Sequence, residues 1–147
     1  MTASVIGALV LGALFPVYAT GGWAKKIDPW ENARAQILES IDTSVERGIG
    51  GPIDTTTMTM LEETRDGGFL FAALTASGSI LAGVADADGN WKSICASAER
   101  GPTAEVACET WENEDERAYA VWVQRSESAP NGFRHDLSYA QRNPLRN

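Results

Sequence analysis

Apolar positions change their spacing twice along this chain, and each change marks a new element. From Val5 to Ala19 they run without a break: VIGALVLGALFPVYA carries no charge and no polar side chain before Tyr18. From Trp30 to Val45 they recur at helical spacing, as Trp30, Ala33, Ile37, Leu38, Ile41 and Val45, with Arg34, Glu39, Asp42 and Glu46 elsewhere on the cylinder. From Ile53 they alternate or form short runs between turn residues, the texture of strands.

The first run is apolar all round, so Val5, Ile6, Leu9, Val10, Leu11, Leu14, Phe15, Pro16 and Tyr18 predict a helix that does not pack on its own domain. Two readings compete for it, beside the plainer one of a buried helix in a soluble domain. As an uncleaved anchor it extends from Ala3 to about Trp23, near the ~20 residues that span a bilayer, with Trp23, Lys25 and Lys26 at the interface. As a signal peptide it ends in the small-x-small pattern Val17-Tyr18-Ala19.

Asp28-Pro29-Trp30-Glu31 is a helix start: Asp28 caps, Pro29 suits the first helical position and Glu31 completes a capping box. The spacing predicts one amphipathic helix from Pro29 to Arg47, with Ile37, Leu38, Ile41 and Val45 on the core side, ended at Gly48. Strands are expected at Thr55–Glu63, Phe69–Ala76, Ile80–Ala85, Asn90–Ala98, Val106–Glu112 and Arg117–Arg125, joined by Asp66-Gly67-Gly68, Ser77-Gly78-Ser79, Asp86–Gly89, Arg100-Gly101-Pro102 and Asn113–Glu116. Residues 126–147, polar and broken by Pro130, Gly132 and Pro144, read as a tail or covering loop. The expected architecture is therefore α+β: an anchor or signal segment over 1–26, a domain over 27–125 with one helix packed on an antiparallel meander of about six strands, and the tail.

Charge narrows the partners. The net charge is −8, and no basic patch interleaves with aromatics, which disfavours nucleic acid and anionic membrane surfaces. The two cysteines, Cys95 and Cys108, have no histidines beside them and cannot complete a zinc site. After an export segment they predict a disulfide and an oxidising compartment, with the domain outside the cytoplasm. A hairpin centred on Gly101-Pro102 would set them directly opposite each other and pair Lys92 with Trp111, within reach of a cation–π contact.

Few residues suggest chemistry. Asp86-Ala87-Asp88-Gly89-Asn90 resembles the start of a calcium loop, but Trp91 and Ser97 stand where that loop needs glycine and glutamate, so a hairpin turn is expected. His135, the only histidine, sits in the polar tail beside Asp136, without a serine placed near it by any local pattern. Glu62-Glu63 and the run Glu112 to Glu116 could supply paired carboxylates, but no pocket signature accompanies them. No phosphate loop is present, and no cofactor or metal is expected. Trp91, Trp111, Tyr119 and Trp122 fall on neighbouring predicted strands and form either sheet core or an interaction face.

In layout the chain resembles the type IV pilins and pseudopilins. The resemblance rests on the apolar segment with Phe15-Pro16-Val17-Tyr18, the following helix with Asn32-Ala33-Arg34-Ala35-Gln36, the meander, and a late cysteine pair preceded by Gly89-Asn90-Trp91. It implies a kink at Pro16, a disulfide that staples a C-terminal loop, and assembly through the apolar helix. The expected function is a non-catalytic structural or interaction subunit of the cell envelope, partnered by membrane lipid, a larger protein assembly or further copies of itself. The alternative is a cleaved, secreted binding or inhibitor module that uses the aromatic sheet face.

Overall fold

A computed structural model describes residues 27–112 and 117–141. The apolar stretch, and with it the expected anchor or signal helix, lies outside the described residues. Among those described, no helix is long and apolar enough to cross a membrane.

The described residues begin with two short helices, α1 (Pro29–Ser40) and α2 (Thr43–Gly48). Seven strands follow: β1 (Ile53–Glu63), β2 (Phe69–Thr75), β3 (Ser79–Ala85), β4 (Trp91–Arg100), β5 (Glu105–Glu112), β6 (Arg117–Arg125) and β7 (Phe133–Gln141). They form two antiparallel meanders, β1-β2-β3-β4 and β5-β6-β7. The expected α+β arrangement, one helix on a single sheet of about six strands, is thereby corrected. The described residues are mostly β, in two antiparallel sheets, and the helices are a minor cover.

The middle hairpin of the first sheet explains why two sheets form. Phe69 to Ala73 and Ser79 to Ala85 are buried without interruption. Strands buried on both faces read as near-continuous apolar runs, and each face needs its own cover. On one side Phe69, Phe71, Ala73, Leu81 and Ala85 pack against Trp30, Ala33, Ile37, Ile41 and Ile49 of the helical segment. On the other side Leu70, Ala72, Ile80, Ala82 and Val84 pack against Val106, Tyr119, Val121, Val123 and Phe133 of the second sheet. The result is three layers: helices, four-stranded sheet, three-stranded sheet.

Local chemistry sets the details. Asp28 accepts the Trp30 amide at 2.9 Å and caps α1. The expected helix over Pro29–Arg47 breaks in two because Asp42 caps a second helix, accepting the amides of Ser44 and Val45 at 2.9 and 3.0 Å. An aspartate inside a helical pattern competes with the backbone in this way, and Ile41 is left extended, at ψ 101°. Trp30 meets the Phe69 ring edge-on, with centroids 5.6 Å apart. Gly83 has no side chain because a Cβ there would run into the Phe71 ring and the Ser93 carbonyl. The ladder of β1 slips between Asp54 and Thr59, and the Thr57 hydroxyl takes the Leu74 amide at 2.8 Å.

Two further expectations change. Within the tail, β7 pairs with β6 from Phe133 to Gln141, so that stretch belongs to the sheet. The turn between them is closed by Ser126 N–H to Gly132 O at 2.9 Å, with Gly132 at φ 81°. The disulfide Cys95–Cys108 forms, with a Cα separation of 6.4 Å, but not across a hairpin. Cys95 pairs with Ala82 in the first sheet and Cys108 with Val121 in the second. The chain turns a corner at Gly101 (φ 91°) and passes from one layer to the other, so the bond staples the sheets together. Lys92 therefore has no ladder register with Trp111.

Replacing both cysteines by alanine should cost about 3 kcal/mol, since the bond closes a loop 13 residues long in sequence separation. Urea denaturation measures it. A loss below about 0.5 kcal/mol would show that the two sheets hold together without the staple.

Candidate functional site

Two places gather polar chemistry. The first lies where the β1–β2 turn meets the second sheet. Asp66 accepts hydrogen bonds from the Thr64 hydroxyl, from Lys92 Nζ at 3.0 Å and from the Tyr119 hydroxyl at 3.2 Å. Next to it, the Arg65 amide donates to the Tyr139 hydroxyl at 2.9 Å, and the Arg65 guanidinium stands 4.0 Å above the Tyr139 ring. Tyr119 and Tyr139 meet edge-on at 5.2 Å. Nearby, His135 Nε2 lies 3.2 Å from Glu62 Oε2. These contacts join β1, its turn, β4, β6 and β7.

The Thr64 hydrogen bond holds the Asp66 carboxyl well below the usual carboxylate range; partial burial opposes this, while Lys92 and Tyr119 add to it. Both carboxylate oxygens of Asp66 accept from partners inside the protein, with a third of the side chain exposed, so the cluster acts as a clamp between layers. Of the candidate acid–base residues, His135 and Glu62 face each other, and the side chains of Glu112 to Glu116 lie outside what the structure describes. Among the described residues no group of three or more histidine, cysteine, aspartate or glutamate side chains could hold a metal ion. Asp86 accepts the amides of Asp88 and Asn90 at 3.0 and 2.9 Å, so the calcium-loop-like run is built as a turn.

The second place is the outer face of the three-stranded sheet. Strand alternation turns Val106, Val121, Val123, Phe133 and Tyr119 inward. It leaves Glu105, Ala107 and Glu109 of β5, Ala120, Trp122 and Gln124 of β6, and Arg134, Asp136 and Ser138 of β7 on the other side. Ala107, Glu109, Ala120, Trp122, Asp136 and Ser138 line an open trough of about 530 Å³ there. The concavity has a direct cause: the floor is alanine, and the walls are an indole and two carboxylates. Trp122 is half-buried, and its Nε1 donates to Glu105 Oε2 at 3.4 Å. A smaller groove of about 410 Å³ runs between β1 and the β6–β7 turn, along Thr57, Thr59, Asn131 and Phe133.

The four aromatics read as sheet core or interaction face fall in different places where the structure describes them. Tyr119 is in the inter-sheet core at 3% exposure, and Trp91 lies on the first sheet opposite Ala85, at 36%. Of the three whose side chains are described, Trp122 lies in the trough. Trp111 is paired with Ala118 on β5, and its side chain lies outside what the structure describes. Of the residues that shape the trough with Trp122, only Asp136 was named in the sequence, as the neighbour of His135. Their signal was the small parity of β6, Ala118 and Ala120, next to the bulky Trp122. Asp66 gave no signal, because Lys92 and Tyr119 lie 26 and 53 residues away. Comparison of the chain with family models, with curated proteins and with solved structures found no match.

A carboxyl whose folded pKa is depressed adds stability above its unfolded pKa and loses it as pH falls toward the folded value. Asp66→Asn should therefore destabilise the protein at neutral pH by ~1–2 kcal/mol, discounted for the third of the carboxylate left in water. The gap from wild type should shrink as pH falls from about 5 to about 2. Urea titrations at both ends of that range check it, and a gap independent of pH would mean that Asp66 contributes through shape alone.

Proposed function

We propose that the chain is a non-catalytic interaction subunit that works outside the cytoplasm, is held at the membrane by the apolar stretch Val5 to Ala19, and engages a protein partner through the outer face of the three-stranded sheet. One observation carries the reading. Among the described residues the first sheet is covered on both faces, whereas the second is covered on one, and its other face holds a trough where Trp122 and small side chains lie between charged ones. Aromatic side chains in concave, partly apolar surroundings are what binding surfaces are built around.

Supporting features come from elsewhere in the chain. The Cys95–Cys108 bond suits an oxidising compartment. The titratable groups at the β1–β2 turn hold layers together instead of facing a cavity, which favours binding over catalysis. The pilin-like layout would make the apolar helix an assembly element as well as an anchor. If the Val17-Tyr18-Ala19 step is cut, the same face serves a secreted binding module. The mass of the mature protein separates the two forms.

A photo-crosslinking residue placed at Ala120, on the trough floor, should capture a discrete partner in intact cells. The same residue at Glu39, exposed on α1, should not. Equal labelling from both positions, or none from position 120, would contradict the reading.

A further inference from the structure

We propose that the trough receives a lysine or arginine side chain from a cationic segment of the partner protein. This rests on the reading of that face as the binding surface and adds the chemistry of what it takes.

Glu109 on β5 and Asp136 on β7 stand on opposite sides of β6, opposite Ala120 and Trp122 in the ladder. Two strand spacings of ~4.8 Å put the outer strands ~10 Å apart. Between them the floor is Ala107 and Ala120, and Trp122 forms one wall. A lysine or arginine has an apolar stem and a charged head. The stem matches the alanine floor, the head reaches carboxylates on either rim, and the indole adds attraction for a cation. The polar edge of Trp122 is already taken by Glu105, which leaves its apolar surface to a ligand. Arg134 shares the face, but its guanidinium is drawn to the Ser128 hydroxyl at 3.4 Å, in the β6–β7 turn.

The other occupants fit worse. A second copy placed face to face would set Glu109 and Asp136 against the same carboxylates, and a net charge of −8 repels it further. An anionic lipid surface meets the same repulsion. A cationic partner gains from both the local carboxylates and the long-range field.

The test is calorimetric titration of the full chain, disulfide intact and in a nonionic detergent, with an oligolysine peptide, an oligoglutamate peptide and a neutral alanine–threonine peptide. Oligolysine should bind, more weakly as salt rises, and oligoglutamate should not. Glu109→Gln combined with Asp136→Asn should weaken oligolysine by about tenfold or more, and Trp122→Ala should weaken it in the same direction. Glu31→Gln combined with Glu39→Gln removes equal charge from α1 and should change affinity by less than about twofold. Glu31, Glu39, Glu109 and Asp136 are exposed and Trp122 is half-buried, and near-ultraviolet circular dichroism checks that each variant is folded. Equal losses in the two double variants would reduce the attraction to net charge and overturn the proposal. No oligolysine binding at about 1 mM would overturn it too, with the crosslinking at Ala120 still deciding the face itself. Binding of the neutral peptide alone, abolished by Trp122→Ala, would keep the face and overturn its preference for cations.

Discussion

Burial of the β2–β3 hairpin on both faces is the constraint from which the rest of the architecture follows. Leu70 and Phe71 are neighbours in sequence, point in opposite directions, and are both fully buried. Covering each such side chain contributes roughly 1.5–3 kcal/mol. No single layer can cover both faces. The helical segment closes one side with Trp30, Ala33 and Ile37, and the second sheet closes the other with Val106, Val121 and Val123. The second sheet is thus recruited by its inner face, and among the described residues neither core cluster extends over its outer face.

The links between the layers follow the same logic. A sheet that packs only through side chains can slide, and two devices resist this here. The Cys95–Cys108 bond ties β4 to β5 across the corner at Gly101. The Asp66 clamp ties the β1–β2 turn to β4 and β6 through Lys92 and Tyr119. Both draw on groups that, seen singly, suggest chemistry: thiols, a carboxylate, a lysine and a phenol. In the folded protein they spend that capacity on each other, and the trough remains as the surface with unspent contacts.

Much of this was legible in the sequence, and the misses have physical causes. Turn residues marked the first six strands closely, because glycine at positive φ and aspartate at turn starts are strictly local signals. The cysteine pairing was legible, but its geometry was not: a short link with Gly101-Pro102 serves a hairpin or a corner equally well, and only the need to cover Leu70 and Ile80 selects the corner. β7 was hidden because Phe133, His135, Leu137 and Tyr139 alternate correctly but weakly, between polar neighbours and after a proline and a glycine. The helix was read through Asp42 because the apolar spacing continues past it. Of the proposed binding face, Trp122 was visible and its charged rims were not, since Glu109 and Asp136 come to one face only when β6 lies between their strands. The unbroken apolar texture of FLFAAL and ILAGVA was the strongest overlooked signal, as it already called for two covers.

Alanine substitution at two adjacent positions tests that double cover most directly. Leu70→Ala removes contacts with the second sheet, and Phe71→Ala removes contacts with the helices. Each should lower the stability measured by urea denaturation, by about 2–5 kcal/mol at Leu70 and about 3–5 kcal/mol at Phe71. A loss below about 0.5 kcal/mol at either position would show that its face of the hairpin is open to solvent, and would contradict the three-layer account.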